Sequence, residues 1–330
     1  MSAIPVAVVT GYLGSGKTTL IRHLLGHPSM GETAVIVNEI GEIGIDHAIL
    51  RHIDERTVLL ASGCICCTLR GDLADELRDL VNRRGAGEIP AFTRVVVETT
   101  GLADPAPILN TLLADPLVRH QYALETVVAT VDAQHGLRGP ESIRQVAAAD
   151  VLVVTKGDLA DSRPIEAGLA ALNPVAAVAR VVGGAIDPES LFGAPKRISG
   201  ESRERCPPDR GPVHDGDVRS VCIAIDGPLD RLGFGVWLTM LLHARGQEIL
   251  RVKGLLDVGG DGPLLVNAVQ HVVHPPEHLA AWPDDDRRSR LVFIGRGFDA
   301  EEIERSLRAF VVPAASPLPA PVPRGAFAPQ

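Results

Sequence analysis

The chain has 330 residues, more than one average domain, so a large domain joined to a smaller one is the expected organisation. Its net charge of −9 and the lack of any long Lys/Arg block exclude nucleic acid as the main partner, and the lack of an 18-residue apolar run excludes a membrane-spanning helix. Hydrophobic residues make up 45% but aromatics only 3%, so the core must be built from Val, Ile, Leu and Ala, as buried parallel strands and their covering helices usually are.

The N-terminus enters a strand-like run with no basic leader, which predicts a cytoplasmic protein. Apolar runs at residues 4–10, 33–39, 94–99, 125–132 and 151–155 predict strands, and a shorter run at 57–61 leads into a cysteine cluster. Amphipathic stretches at 71–84 and 142–149 predict crossover helices between them. This alternation predicts the α/β class, a doubly wound, mainly parallel sheet over residues 1–182 whose ligand sits at the carboxyl ends of the strands. From 183 to 217 the composition turns to Gly, Pro, Ser, Arg and Asp, which predicts a flexible linker. Strands are then expected at 218–226, 248–258, 264–273 and 290–295 and helices at 232–245 and 300–310, a smaller C-terminal α/β domain over 218–312. The proline-rich tail, 313–330, is expected to be disordered.

Directly after the first strand, Gly11-Tyr-Leu-Gly14-Ser15-Gly16-Lys17-Thr18 matches G-x-x-x-x-G-K-[ST] and opens a helical run at Thr19. Glycines let successive N–H groups turn inward on phosphate, Lys17 supplies charge at the β/γ oxygens, and Thr18 offers its hydroxyl to Mg²⁺. At the end of the 94–99 run, Glu98-Thr-Thr-Gly101 puts a carboxylate beside the phosphates to hold Mg²⁺ through water, and a glycine whose N–H can approach a γ-phosphate. Thr155-Lys156-Gly157-Asp158, again at a strand end, has the [NT]-K-x-D form of guanine readers. The Asp158 carboxylate accepts from N1–H and N2–H of guanine, whereas adenine would leave it unpaired, so GTP is expected over ATP. Thr155 stands where asparagine is usual.

Three of the five cysteines, Cys64, Cys66 and Cys67, crowd into four positions, which suits a metal or redox site better than a disulfide framework. Alternate residues of an extended segment point the same way, so Cys64 and Cys66 can converge on one ion, with Cys67 completing a thiol face and Glu39 and Glu42 as further ligands. Thiolates bind Zn²⁺, Co²⁺ and Cu⁺ tightly, and a site with fewer than four protein ligands keeps a position open for exchange. Cys206 and Cys222 read as a loop thiol and a buried strand residue. His271 and His274, three apart on a predicted strand, should point to opposite faces.

Taken in order, these motifs, together with Asn38-Glu-Ile-Gly-Glu-Ile-Gly-Ile-Asp46 and Glu98-Thr-Thr-Gly-Leu-Ala-Asp-Pro105, resemble the CobW family of P-loop metallochaperone GTPases. In the second half Arg251-Val-Lys-Gly254, Val269 to His274 and Arg290 to Gly295 look like that family's C-terminal domain. The resemblance implies slow, Mg²⁺-dependent GTP hydrolysis coupled to handing a divalent metal to a client metalloprotein. It gives Lys17, Glu98 and Gly101 the hydrolytic roles, Thr155, Lys156 and Asp158 the base, and Cys64, Cys66 and Cys67 the metal. The alternative is a regulatory switch whose GTP form captures a protein partner, with the cysteines structural. The histidine-rich stretch of many members is missing, since the linker has only His214.

Overall fold

The structure, a computed structural model, describes residues 3–38, 58–62, 71–192 and 218–311. Seven strands form the first sheet: β1 (Ile4–Gly11), β2 (Thr33–Asn38), β3 (Val58–Ser62), β4 (Arg94–Glu98), β5 (Tyr122–Asp132), β6 (Val151–Thr155) and β7 (Ala177–Arg180). Their order is β3-β2-β4-β1-β5-β6-β7, and every neighbouring pair is parallel. Strands of this kind are buried on both faces, and β1 shows why its sequence is an unbroken apolar run. Val6 and Val8 pack with Leu77 of α2 (Gly71–Gly85) and Leu109 of α3 (Ala106–Ala114). Ala7 and Val9 face the other way, onto Leu20, Ile21 and Leu24 of α1 (Lys17–Leu25).

The chain winds outward from β1 to β2 and β3, returns to insert β4, then crosses β1 to lay down β5, β6 and β7. The carboxyl end of β1 is thus the point where strand order reverses and a crevice opens. Connecting helices α4 (Pro116–Gln121), α5 (Gly139–Ala148) and α6 (Arg163–Leu172) complete the layers. A short helix, α7 (Pro188–Phe192), falls inside the stretch whose composition reads as linker, and its Leu191 and Phe192 are buried in the α1-side core.

The second unit is an antiparallel sheet. It contains β8 (Arg219–Ile225), β9 (Ile249–Leu256), β10 (Leu264–Val269), β11 (Val272–Val273), β12 (Glu277–His278) and β13 (Ser289–Gly295), ordered β11-β10-β9-β13-β8 with β12 on the edge of β10. One face packs Val252, Leu291 and Phe293 onto Phe234, Trp237 and Leu242 of α8 (Arg231–Arg245) and Leu307 of α9 (Ala300–Phe310). From the other face Leu250, Val292 and Ile294 share a core with Ile143 and Val146 of α5 and Leu169 and Leu172 of α6. The two sheets are therefore joined by buried apolar surface.

Polar groups reinforce that junction. Arg251, 1% exposed, donates to Asp150 Oδ1 at 2.6 Å and to the Ala148 carbonyl, and Lys253 Nζ reaches the same Oδ1 at 3.1 Å. Burial would raise the Asp150 carboxyl, but the Lys253 and Arg251 charges outweigh it and hold it well below the usual range.

Two expectations are corrected. Residues 264–273 are not one strand: Gln270, at φ 51°, turns the chain between β10 and β11, which pair Val269 with Val272. The apolar alternation runs through a turn that lacks the usual Asn-Gly signal, so periodicity alone read it straight. Cys222 is exposed on β8 and disulfide-bonded rather than buried and free, and the other four cysteines lie outside the described residues. No helix among the described residues is long and apolar enough to cross a membrane. The predicted tail, from residue 313 on, also lies outside them.

Candidate nucleotide site

β1 ends in a loop that only glycines allow. Gly11, Gly14 and Gly16 have φ of 143°, 71° and 96°, and a Cβ at Gly11 would collide with the Thr130 hydroxyl and carbonyl. Ser15 N–H bonds to the Tyr12 carbonyl at 3.1 Å, and the Ser15 hydroxyl lies 2.6 Å from that of Thr130 on β5. α1 then starts at Lys17 with Gly16 as its cap, no capping side chain and no acid in its first turn. Its leading N–H groups and positive dipole end are left facing the crevice, an arrangement suited to phosphate. The Lys17 ammonium, on a residue only 9% exposed, is held over the loop by the carbonyls of Gly11 (2.9 Å) and Tyr12 (3.4 Å).

Eighty residues apart in sequence, Thr18 and Glu98 meet: the Thr18 hydroxyl donates to Glu98 Oε1 at 2.8 Å. Glu98, 2% exposed, sits at the end of β4, which lies beside β1 in register Val9 to Glu98. The ladder continues into Thr99, whose N–H bonds to Val9 and whose hydroxyl donates to Thr10 Oγ1 at 2.8 Å. Gly101 follows against the phosphate loop, where a Cβ would lie 2.7 Å from the Leu13 nitrogen. Any larger residue there would displace the loop.

The predicted base-reading loop stands on the other side. Thr155 Oγ1 donates to the Ser15 carbonyl at 2.7 Å, so the hydroxyl ties this loop to the phosphate loop without needing an amide. Lys156, at φ 56°, reaches across to the Gly14 carbonyl (2.9 Å) and to Asp132 Oδ2 (2.6 Å). Asp158 is exposed, and Thr19 is half-buried on the first turn of α1.

Three features escaped the sequence reading. Asp132, at the end of β5, accepts from Lys156, from His135 Nδ1 at 2.8 Å and from the Gln134 N–H at 2.8 Å. The signal was the same as for Glu98, an acid ending an apolar strand. Gln145, 1% exposed on α5, donates to the carbonyls of Gly101 (3.2 Å) and Ala103 (3.0 Å) and so braces the segment after β4. Gly183 and Gly184 fold back on α1 at φ 61° and 84°, with a Cβ at Gly184 falling 2.8 Å from the Thr19 carbonyl. That turn follows β7, the strand next to β6.

Burial would raise the Asp132 carboxyl, but the hydrogen bonds from His135, Lys156 and Gln134 together with the Lys156 charge bring it down to about 2. A depressed folded value means the stabilisation is present above the unfolded value near 3.8 and is lost as pH falls toward 2. The stability difference between the native protein and Asp132→Asn, measured by urea unfolding across pH, should therefore be constant above about pH 5 and shrink below pH 4. A difference that changes between pH 6 and 8 would contradict this origin.

Glu39, Glu42, Cys64, Cys66 and Cys67 lie outside the described residues. The strands that precede them are described: β2 and β3 are parallel neighbours with Asn38 paired to Ser62, so the two strands end side by side at the carboxyl edge of the sheet. His271 occupies the β10–β11 turn, while His274 Nδ1 lies 3.1 Å from Asn267 Nδ2, and the two do not share a strand. Among the described residues no group of three or more His, Cys, Asp or Glu is arranged to hold a metal.

Residues 5–180 match the family model described as CobW/HypB/UreG, nucleotide-binding domain, and residues 218–311 match the cobalamin synthesis protein cobW C-terminal domain. The chain is 34% identical to the zinc chaperone YjiA of Escherichia coli over 311 residues, 92% of this chain and 97% of that one. It is 30% identical to the zinc chaperone CobW of Pseudomonas aeruginosa over 93% of this chain and 92% of that one. A crystal structure of E. coli YjiA GTPase with Zn(II) bound superposes with a TM-score of 0.68 at 28% identity, covering 94% of this chain and 99% of that chain. A Zn(II)-bound triple mutant of YjiA, in which one glutamate and two cysteines are alanine, superposes at 0.71 with 29% identity and the same coverage. With both domain models matched in order and more than nine-tenths of the chain aligned to these relatives, the chain belongs to the CobW family of P-loop GTPases.

Proposed function

We propose that the protein is a GTP-gated metallochaperone of the cytoplasm, which carries Zn²⁺ or Co²⁺ on Cys64, Cys66 and Cys67, with Glu39 and Glu42 as auxiliary ligands, and hands it to a client metalloprotein. The observation that carries this reading is the register of β2 and β3: the stretches bearing these residues start from paired positions on the same sheet edge as the phosphate loop. Nucleotide and cargo then act on neighbouring backbone. Residues 1–182 form the GTPase unit and 218–312 the C-terminal unit, joined through 183–217.

The geometry supports the following nucleotide roles. The Thr18 hydroxyl and Glu98 carboxylate are hard oxygen donors 2.8 Å apart, a pair that fits Mg²⁺, directly or through water. Mg²⁺ supplies charge neutralisation on the phosphate oxygens. Lys17 faces the β/γ-phosphates, Gly11, Gly14, Ser15 and Gly16 wrap them, and Gly101 offers its N–H to the γ-phosphate. Thr155 and Lys156 fix the base loop so that Asp158 accepts from guanine. The names of the relatives support zinc as cargo, and a thiolate set also admits cobalt.

Delivery requires the metal to bind the two nucleotide states unequally. Competition with a chromophoric chelator, in Mg²⁺ with GDP or a non-hydrolysable GTP analogue, should give Zn²⁺ affinities at least tenfold apart. Cys66→Ala combined with Cys67→Ala should abolish that difference. Because the YjiA triple mutant is itself Zn(II)-bound, the nucleotide dependence rather than binding alone is the discriminating readout. Equal affinities in both states would overturn the chaperone reading and favour a partner switch.

A further inference from the structure

We infer that Gln270 is a positioning residue that links the C-terminal domain to the segment following β4, so that this domain responds to the nucleotide. The inference rests on the GTPase reading above and adds the route by which its state leaves the nucleotide domain.

Among the described residues only two non-glycines adopt positive φ, Lys156 and Gln270. That conformation is unfavourable for an L-residue with a long side chain, and glycine or asparagine would serve the turn more easily. A strained residue that persists invites a role for its side chain. Lys156 has one, bridging the base loop to the phosphate loop. For Gln270 the partner is equally specific: its Nε2 donates to Asp104 Oδ2 at 2.8 Å, across 166 residues.

Asp104 lies three residues after Gly101. Its other oxygen accepts from the Ala106 N–H at 3.0 Å and fixes the start of α3, and Arg144 stands 3.8 Å from Oδ2. Beside this contact Val269, the last residue of β10, is buried in the core that contains Leu109 of α3. The segment 98–104 thus runs from the Thr18–Glu98 pair, past Leu13, to a hydrogen bond with the second domain. A shift of Gly101 toward a γ-phosphate pulls on a short, braced segment whose far end is held by Gln270. A contact that differs between two states must bias both, so the C-terminal domain in turn biases the segment.

The protein carries its own reporter. Its two tryptophans, Trp237 and Trp282, both lie in the C-terminal domain. With Mg²⁺, the full-length native protein should show different tryptophan emission, or different amide hydrogen exchange over 264–273, with GDP and with a non-hydrolysable GTP analogue. Gln270→Gly relieves the turn while deleting the amide. It should reduce that difference at least fivefold and keep calorimetric nucleotide affinity within threefold. Gln270→Glu sets two carboxylates against each other and should do the same, whereas adding Asp104→Asn restores a donor facing an acceptor and should recover at least half the signal. A native protein that binds nucleotide with both readouts silent, or a Gln270→Gly variant with the full difference, overturns the inference. Absence of nucleotide binding by the native protein overturns the GTPase reading itself.

Discussion

Lys17→Ala is expected to lower kcat/KM for GTP by about 10²–10³-fold, the loss typical of removing one preorganised group that stabilises developing charge. The ammonium is positioned before any phosphate arrives. Two loop carbonyls orient it, and burial to 9% exposure keeps water from screening it. Those carbonyls also imply that stability is little affected. Removing the lysine deletes a desolvated charge along with its hydrogen bonds, and these contributions oppose each other. The thermal midpoint should therefore move by no more than about 3 °C, against a two- to three-order loss in turnover. Single-turnover hydrolysis beside a thermal melt separates the two. Turnover within tenfold of native would remove Lys17 from the chemistry, and a collapsed melt would show the loop to be a folding element first.

Much of the fold was legible because parallel strands are buried on both faces and so appear as continuous apolar runs. β1, β5 and β6 stand out for that reason, with 0% exposure at Val6, Val8 and Val128. What escaped was structure whose pattern is set by tertiary context. α3 reads Ala-Pro-Ile-Leu-Asn-Thr-Leu-Leu-Ala, apolar nearly all round because its surroundings bury it, and a helix without a polar face carries little periodic signal. The β10–β11 turn was hidden by alternation that continued across it, and only the φ of Gln270 reveals the reversal.

At the site the contiguous elements were legible and the assembled ones were not. The phosphate loop is a single run whose glycines have a local reason, so motif and geometry coincide. The Thr18–Glu98 contact joins two residues that their motifs assign to Mg²⁺, Glu98 from its position as an acid at a strand end. Asp132 presented the same signal and was passed over, because its partners Lys156 and His135 sit in a different motif and in a loop. Gln145 could not have been found by spacing, since its role is to satisfy two carbonyls over forty residues away. Thr155 read as a departure from asparagine, yet its hydroxyl supplies the tether to Ser15 that the loop requires.

The second large effect is expected at the junction of the two sheets, where Asp150→Ala should destabilise the protein by about 3 kcal/mol. The carboxylate occupies the turn into β6, where Oδ2 accepts from the Val127 N–H at 3.1 Å and Oδ1 serves both Arg251 and Lys253. Its side chain keeps 23% of its surface accessible while Arg251 keeps 1% and Lys253 4%, so the cations carry most of the desolvation. Removing the anion leaves their burial in place and deletes the charge that offsets it. The partial exposure of Asp150 argues for the lower end of the usual 3–5 kcal/mol range. Because the folded carboxyl is held below its ordinary value, this contribution should be complete above about pH 5 and decline only as pH falls through the acid range. Urea unfolding followed by tryptophan emission, which reports the C-terminal domain, would measure it. The exposed Asp161–Arg163 pair is the control, since solvent screening leaves little there to lose. Replacing Asp150, Arg251 and Lys253 together by apolar residues of similar volume should recover much of the loss, because the three charges stabilise one another rather than the fold. Recovery of stability without recovery of the nucleotide-dependent tryptophan signal would mean that the charges are kept for the geometry of the junction. A neutral Asp150→Ala would mean that the apolar core shared by α5, α6, β9 and β13 holds the domains together unaided.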